Sequence, residues 1–195
     1  MTKLRKVDRR TVYTISVIKD SFLELIAQET YDKLTVAKVC RKAEITRSTF
    51  YLHFDNLTAV LDAVLADALL FDQSPKQALE PLTSIEAFKQ NESLLPVCQR
   101  IGATSKYQKL LMDPALSDYI IGAIMKHERA NVVPGIQAQT GLNAQDADLL
   151  FHYMIHGSFA INKQHHFVKD DAWYHELQLL NKFINSGYLA FKQDV

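Results

Sequence analysis

The stretch that decides the fold is Leu34–Leu57, LTVAKVCRKAEITRSTFYLHFDNL. Thr35 can cap a helix, and Val36, Val39, Cys40 and Ala43 recur behind it at helical spacing. The pattern stops at Ala43. Glu44 and Ile45 form a connection, and Thr46 offers a second capping hydroxyl. From Arg47 the chain runs RSTFYLHF, in which Phe50 and Phe54 stand four apart and share one inward-packing face. Arg47, Ser48, Thr49, Tyr51 and His53 fall largely on other faces. Guanidinium and hydroxyl groups hydrogen-bond to base edges and phosphates, and Tyr and His add phosphate contacts. Two short helices around a tight turn, the second presenting these groups, make a helix-turn-helix whose second helix enters the major groove. The expected contacts with double-stranded DNA are Thr46, Arg47, Ser48 and Thr49 at the start of that helix, with Thr35, Tyr51 and His53 on phosphates. Paired helices of this kind also occur in all-α proteins that never touch DNA.

The identities of the residues narrow that choice. Leu34-Thr35-Val36, Ala43-Glu44-Ile45 and Ser48-Thr49-Phe50-Tyr51-Leu52-His53-Phe54 resemble the signature of the tetracycline-repressor (TetR) family of bacterial regulators. That family shows T-V near the start of helix two, an A-G-V-like turn and a recognition helix ending T-L-Y-Y-H-F. Residues 49–54 agree in kind at five of those six positions, and Leu52 replaces the second tyrosine. The resemblance is specific over residues 9–70. It implies an all-α chain with a three-helix head over residues 1–56, joined by helix four to a ligand-binding and dimerisation domain over 57–195. It further implies a homodimer paired through the last two helices, a palindromic operator, and an apolar pocket whose small-molecule ligand changes the spacing of the two heads. Two positions depart from the pattern. Thr30 stands where the family ends helix one on glycine, and Leu57 stands where a family lysine contacts phosphate at the start of helix four.

Working outward, the first 60 residues hold eleven Lys/Arg against seven Asp/Glu, a balance of +4, whereas the remainder balances at −4 on a neutral chain of 195 residues. A basic N-terminal third on a neutral chain is the electrostatic footprint of a DNA-binding head attached to a body with another task. Lys3, Arg5, Lys6, Arg9 and Arg10 are the densest cluster, and they add phosphate attraction that falls with salt. The 48% apolar content is ample for a core. No uncharged apolar run reaches the roughly 18 residues of a membrane span, and the basic N-terminus leads into no apolar signal region. A cytoplasmic protein without membrane contact is expected. Cys40 and Cys98 make no disulfide framework, and Cys40 reads as a small buried hydrophobe.

Helix one is expected from Asp8 or Arg9 to Glu29, with Ile15, Ile18, Phe22, Leu25 and Ile26 as its buried stripe. Tyr31 and Leu34 close over a small core. Asn56 caps helix four, which runs from Leu57 to about Phe71 as the mechanical link between the two parts. Residues 72–75 break the pattern, and short helices follow over 82–90 and 93–103. Asp113-Pro114 opens a helix through about Ala130, after which Gly135 and Gly141 bracket a loop or broken segment. Asn143 with Asp146 starts the next helix, and Asp170 or Asp171 caps the last. These two helices carry large apolar groups, among them Leu149, Tyr153, Trp173, Phe183 and Leu189, with Gly157 and Gly187 allowing close approach.

No enzyme reading survives. His152 and His156 stand four apart, a spacing that can ligate metal, but no H-E-x-x-H glutamate accompanies them. No G-x-S-x-G, P-loop or G-x-G-x-x-G occurs. No catalytic residue, metal or cofactor is assigned. Ligand-lining candidates in the body are Tyr107, Leu111, Tyr119, Phe151, Ile155 and Phe159, although pocket walls and cores share this composition. The function expected is a regulator, a repressor released by an apolar or amphipathic effector. The alternative is an adapter or coactivator acting through protein contacts with weak or no DNA binding, and Leu57 is its motive.

Overall fold

The computed structural model describes residues 9–69 and 105–193, and every described element is helical. They are α1 (Arg9–Ile26), α2 (Val36–Lys42), α3 (Arg47–Tyr51), α4 (Leu57–Ala68), α5 (Ser105–Met112), α6 (Ser117–Thr140), α7 (Ala144–Gln164) and α8 (Asp171–Gln193). Short 3-10 turns at Tyr31–Lys33 and Pro114–Leu116 complete the set. Lys3, Arg5, Lys6, the break at 72–75, the helices expected over 82–90 and 93–103, and Cys98 lie outside the described residues.

Most helix starts obey local chemistry. Side-chain oxygens of Thr35, Thr46 and Asn56 accept from the N–H groups of Lys38, Thr49 and Ala59, each three residues on. Asn143 accepts from Gln145 and Asp146, and Asp170 Oδ1 from Trp173 at 2.8 Å. Helix α1 stops short of Glu29 without a left-handed residue. Gln28 N–H turns in to Leu25 O at 2.9 Å, tightening the last turn, and Thr30 is already extended. The absent glycine is therefore not needed.

The course of α6 differs from the one expected. Helix α6 does not end near Ala130 and no loop opens at Gly135; it continues through Pro134 and Gly135 to Thr140. Proline removes one backbone bond and crowds the preceding turn, a cost of about 3 kcal/mol. Pro134 lies on the exposed side, where water can serve the released carbonyl, while Val133 and Ile136 are buried beside it. Burial of those two side chains holds the helix across the proline. Gly141 then supplies the stop, at φ 76°, with its N–H on Gln137 O at 2.8 Å. Asp113-Pro114 likewise opens a 3-10 turn, and the α-helix proper starts at Ser117.

A single apolar cluster runs from the head into the body: Ile18, Phe22, Val39 and Phe50, then Val60 and Leu61, then Leu110, Ile120, Ile124 and Phe151. Helix α1 packs against α2, α4 and α5, which makes it the floor of the head and a wall of the body. The two parts are also tied by polar contacts. The backbone N–H of Tyr31 donates to Asp113 Oδ2 at 2.9 Å, and the Tyr119 hydroxyl donates to Asp62 Oδ1 at 2.6 Å. Lys106 reaches Asp20, and Lys19 reaches Asp67, both at 2.6 Å. In the body, α7 lies along α6, and Trp173 Nε1 of α8 donates to the buried Asn162 Oδ1 of α7 at 2.7 Å.

Candidate nucleic-acid interface

The connection between α2 and α3 is made by backbone geometry. Ala43 is helical, Glu44 is left-handed at φ 53°, and Ile45 N–H returns to Cys40 O at 3.0 Å. Left-handed backbone brings Cβ close to the following carbonyl, at about 1–2 kcal/mol for a residue other than glycine. A glycine at this position would avoid that strain, so Glu44 holds the turn at a cost. Cys40 points inward behind this turn, its Sγ 3.9 Å from Thr46 O. Burial pushes the Cys40 thiol up, against a smaller downward pull from Arg47, so the reactive thiolate is disfavoured.

Helix α3 is short, but the chain keeps a helical path past Tyr51. Leu52 N–H bonds to Ser48 O at 3.2 Å and Phe54 N–H to Phe50 O at 3.0 Å. Phe50 is 0% exposed and Phe54 is buried, their ring centroids 6.1 Å apart. That inward pair fixes what faces outward. Thr46, Arg47, Ser48 and Tyr51 are exposed, and Thr49 and His53 are half-buried. The Thr46 hydroxyl lies 2.9 Å from both the Ser48 and the Thr49 hydroxyl. Three of the expected contact residues thus form one hydroxyl cluster at the start of α3, with the Arg47 guanidinium beside it in sequence. Thr35 is exposed at the start of α2 and uses its oxygen as a cap.

Two positions gain significance from the structure. Leu52, in place of the family's tyrosine, is 80% exposed, more than any other large hydrophobic residue described. Its place opposite Phe50 and Phe54 could have been drawn from a helical wheel. Leu57 is half-buried and packs against the core, so no cation stands at the start of α4.

The ligand-lining candidates divide. Leu111, Phe151, Ile155 and Phe159 are buried in the continuous core, and Tyr107 packs half-buried against it. Tyr119 instead faces α4, where it bonds to Asp62. Its phenol is pushed up to about 12 by burial and by its bond to the Asp62 carboxylate, which keeps it a donor at neutral pH. The bonds from Asp113 to the head and from Tyr119 to α4 were not visible in the sequence, because their partners lie 82 and 57 residues away. His152 and His156 are both exposed, and His152 sits 3.7 Å from Asp148. No helix among the described residues is long and apolar enough to cross a membrane.

A helix-turn-helix head fused by α1 and α4 to a helical body defines the class of the molecule. Residues 20–64 match the sequence profile of "Bacterial regulatory proteins, tetR family". The chain is also 33% identical, over 64 residues, to the uncharacterized HTH-type transcriptional regulator YxbF of Bacillus subtilis (strain 168). That match spans 32% of this chain and 17% of the relative's length. Among solved structures, the TetR family repressor AlkX from Dietzia sp. strain DQ12-45-1b, implicated in biodegradation of n-alkanes, superposes with a TM-score of 0.50 at 14% identity. That superposition covers 90% of this chain and 97% of AlkX, and it shows a shared fold. Both sequence matches fall on the head, which is similar to the tetR family of bacterial regulatory proteins.

Proposed function

We propose that this protein is a DNA-binding transcriptional regulator, a cytoplasmic repressor that binds a palindromic double-stranded operator as a homodimer. The observation that carries the reading is the division of α3: Phe50 and Phe54 bury one side, and Arg47 with the hydroxyls of Thr46, Ser48 and Thr49 occupies the other. On this reading residues 1–56 are the DNA-binding domain and 57–195 the ligand-binding and dimerisation domain. Arg47, Ser48 and Thr49, with Thr46 at the helix start, meet base edges, and Thr35, Tyr51 and His53 meet phosphates.

Dimerisation is supported by the outer face of the last two helices. Tyr153 and Phe183 are 66% and 65% exposed, Leu149, Leu179 and Leu189 are similarly bare, and a Cβ at Gly157 or Gly187 would meet nothing within 4 Å. Apolar groups of that size left in water mark an interface, and a twofold dimer reads two half-sites where one short helix reads few base pairs. Release by an apolar or amphipathic small molecule rests on the apolar body around Tyr107, Leu111, Phe151, Ile155 and Phe159. Asp113, bonded to Tyr31 of the head, and Tyr119, bonded to Asp62 of the linking α4, give a bound ligand a route to the head. Such a ligand changes operator affinity only by its preference between head spacings, typically by about 1–3 kcal/mol.

Binding to operator and random duplexes across a salt series tests the reading. Arg47→Ala costs about 1–3 kcal/mol per half-site and relaxes sequence preference if the contact is bidentate to guanine. Tyr51→Phe weakens all sequences alike. Equal losses on operator and random DNA in both variants would contradict the assignment. The half-buried Leu57 supports a second reading, an adapter that acts through protein contacts. Affinity for every duplex that vanishes by physiological salt would favour it.

A further inference from the structure

The exposed side of α3 contains one residue that hydrogen-bonding chemistry does not use. Leu52 has helical backbone, φ −72° and ψ −20°, and its N–H bonds to Ser48 O, so it sits one turn beyond Ser48 on the same side. It stands two residues from Phe50 and two from Phe54. At about 100° per residue its side chain therefore projects roughly 160° away from each buried ring. Leu52 is thus the residue aimed most directly away from the head's core, and its 80% exposure agrees. Ser48 and Thr49 flank it on the wheel, and both belong to the row assigned to base edges.

A leucine in that position contributes nothing to the fold. Its side chain forms no part of the core cluster, and water covers most of it. The major groove offers one apolar group on its base edges, the 5-methyl of thymine. We infer that Leu52 is a specificity-determining residue that packs on a thymine 5-methyl in each half-site, where the family's tyrosine would place a hydroxyl. The inference rests on the DNA-binding reading and names what one position of that interface recognises. It also fits the other departure. With Leu57 at the start of α4, a position that could bind phosphate does not.

The test starts from duplexes selected by the full-length protein from a random pool. In the selected duplex each thymine is replaced in turn by deoxyuridine, which removes only the methyl, and affinity is measured for wild type and Leu52→Ala. One thymine per half-site should lose about fourfold in wild-type affinity on replacement, the value of one buried methyl. Leu52→Ala should bind the thymine and deoxyuridine duplexes equally, because its methyl partner is gone. Leu52 is exposed, so the variant folds, and an unchanged melting curve verifies it. If no deoxyuridine duplex differs from its parent, or if Leu52→Ala retains the full methyl preference, the assignment of Leu52 is overturned while DNA binding stands. If the pool yields no sequence above background, the DNA-binding reading falls and the Leu52 assignment with it.

Discussion

Asp113 is where the account is most exposed to a stability measurement. It is 6% exposed and holds two N–H groups, that of Ala115 on Oδ1 and that of Tyr31 on Oδ2, both at 2.9 Å. The first bond caps the turn that opens α6. The second crosses from body to head, into the turn between α1 and α2. Asp113→Ala removes both acceptors. Loss of a cap costs about 1 kcal/mol, and loss of a hydrogen bond to a charged acceptor costs about 1.5–3 kcal/mol. The sum is about 3 kcal/mol, a large share of the stability of a typical domain. Asp113→Asn keeps one acceptor oxygen and turns an amide NH2 toward an N–H, so it should lose about half as much, still in line with losing one such bond. Urea unfolding gives the totals, and hydrogen exchange at the Tyr31 amide isolates the crossing bond. Protection of that amide should fall in Asp113→Ala relative to amides within α7. A change below about 0.5 kcal/mol in Asp113→Ala, within the range of ordinary surface substitutions, would refute the reasoning. Unchanged Tyr31 protection would refute the crossing bond.

Glu44→Gly relieves the left-handed strain at φ 53°; set against the greater unfolded-state entropy of glycine, a gain of roughly 0.5–1 kcal/mol in urea unfolding is expected. Gly157→Leu has open space within the protomer, so the fold should survive while sedimentation shows weakened self-association. Wild type that sediments as a monomer at micromolar concentration would sink the dimer itself. Burial lowers the Lys169 ammonium to about 8. Between about pH 8 and the ordinary lysine range near 10.4 the unfolded chain binds the extra proton, so this group makes stability rise with pH across that window. Lys169→Met should flatten that rise. Tyr119 and Tyr188, both pushed up to about 12, act oppositely. They hold protons that the unfolded chain loses above about pH 10, so stability falls from there toward 12; unfolding midpoints against pH check both signs.

What the sequence made legible is what is decided within a few residues. Thr35, Thr46, Asn56 and Asn143 cap helices through bonds to N–H groups two or three positions on, and such bonds need no tertiary context. The inward pair Phe50 and Phe54 was equally readable, since four-residue spacing is set by the helix itself. The course of α6 was not. Pro134 and Gly135 speak locally against a helix, and only the burial of Val133 and Ile136 against the rest of the body overrides them. Distance along the chain hid the ties between head and body, as Asp113 looked like a cap and nothing more. The outward place of Leu52 follows from its two-residue spacing to Phe50 and Phe54, and only the extent of its exposure, 80%, needed the structure.

The central claim is that α3 enters the major groove, and guanine N7 methylation of the bound operator tests it most directly. N7 lies on the major-groove edge, whereas adenine N3 lies in the minor groove. Docking of α3 from a twofold dimer predicts two protected patches of guanine N7, centred about 34–36 Å or a multiple of it apart. Arg47→Ala should uncover guanine within each patch. Full N7 reactivity under saturating protein, or protection confined to adenine N3, would contradict the account.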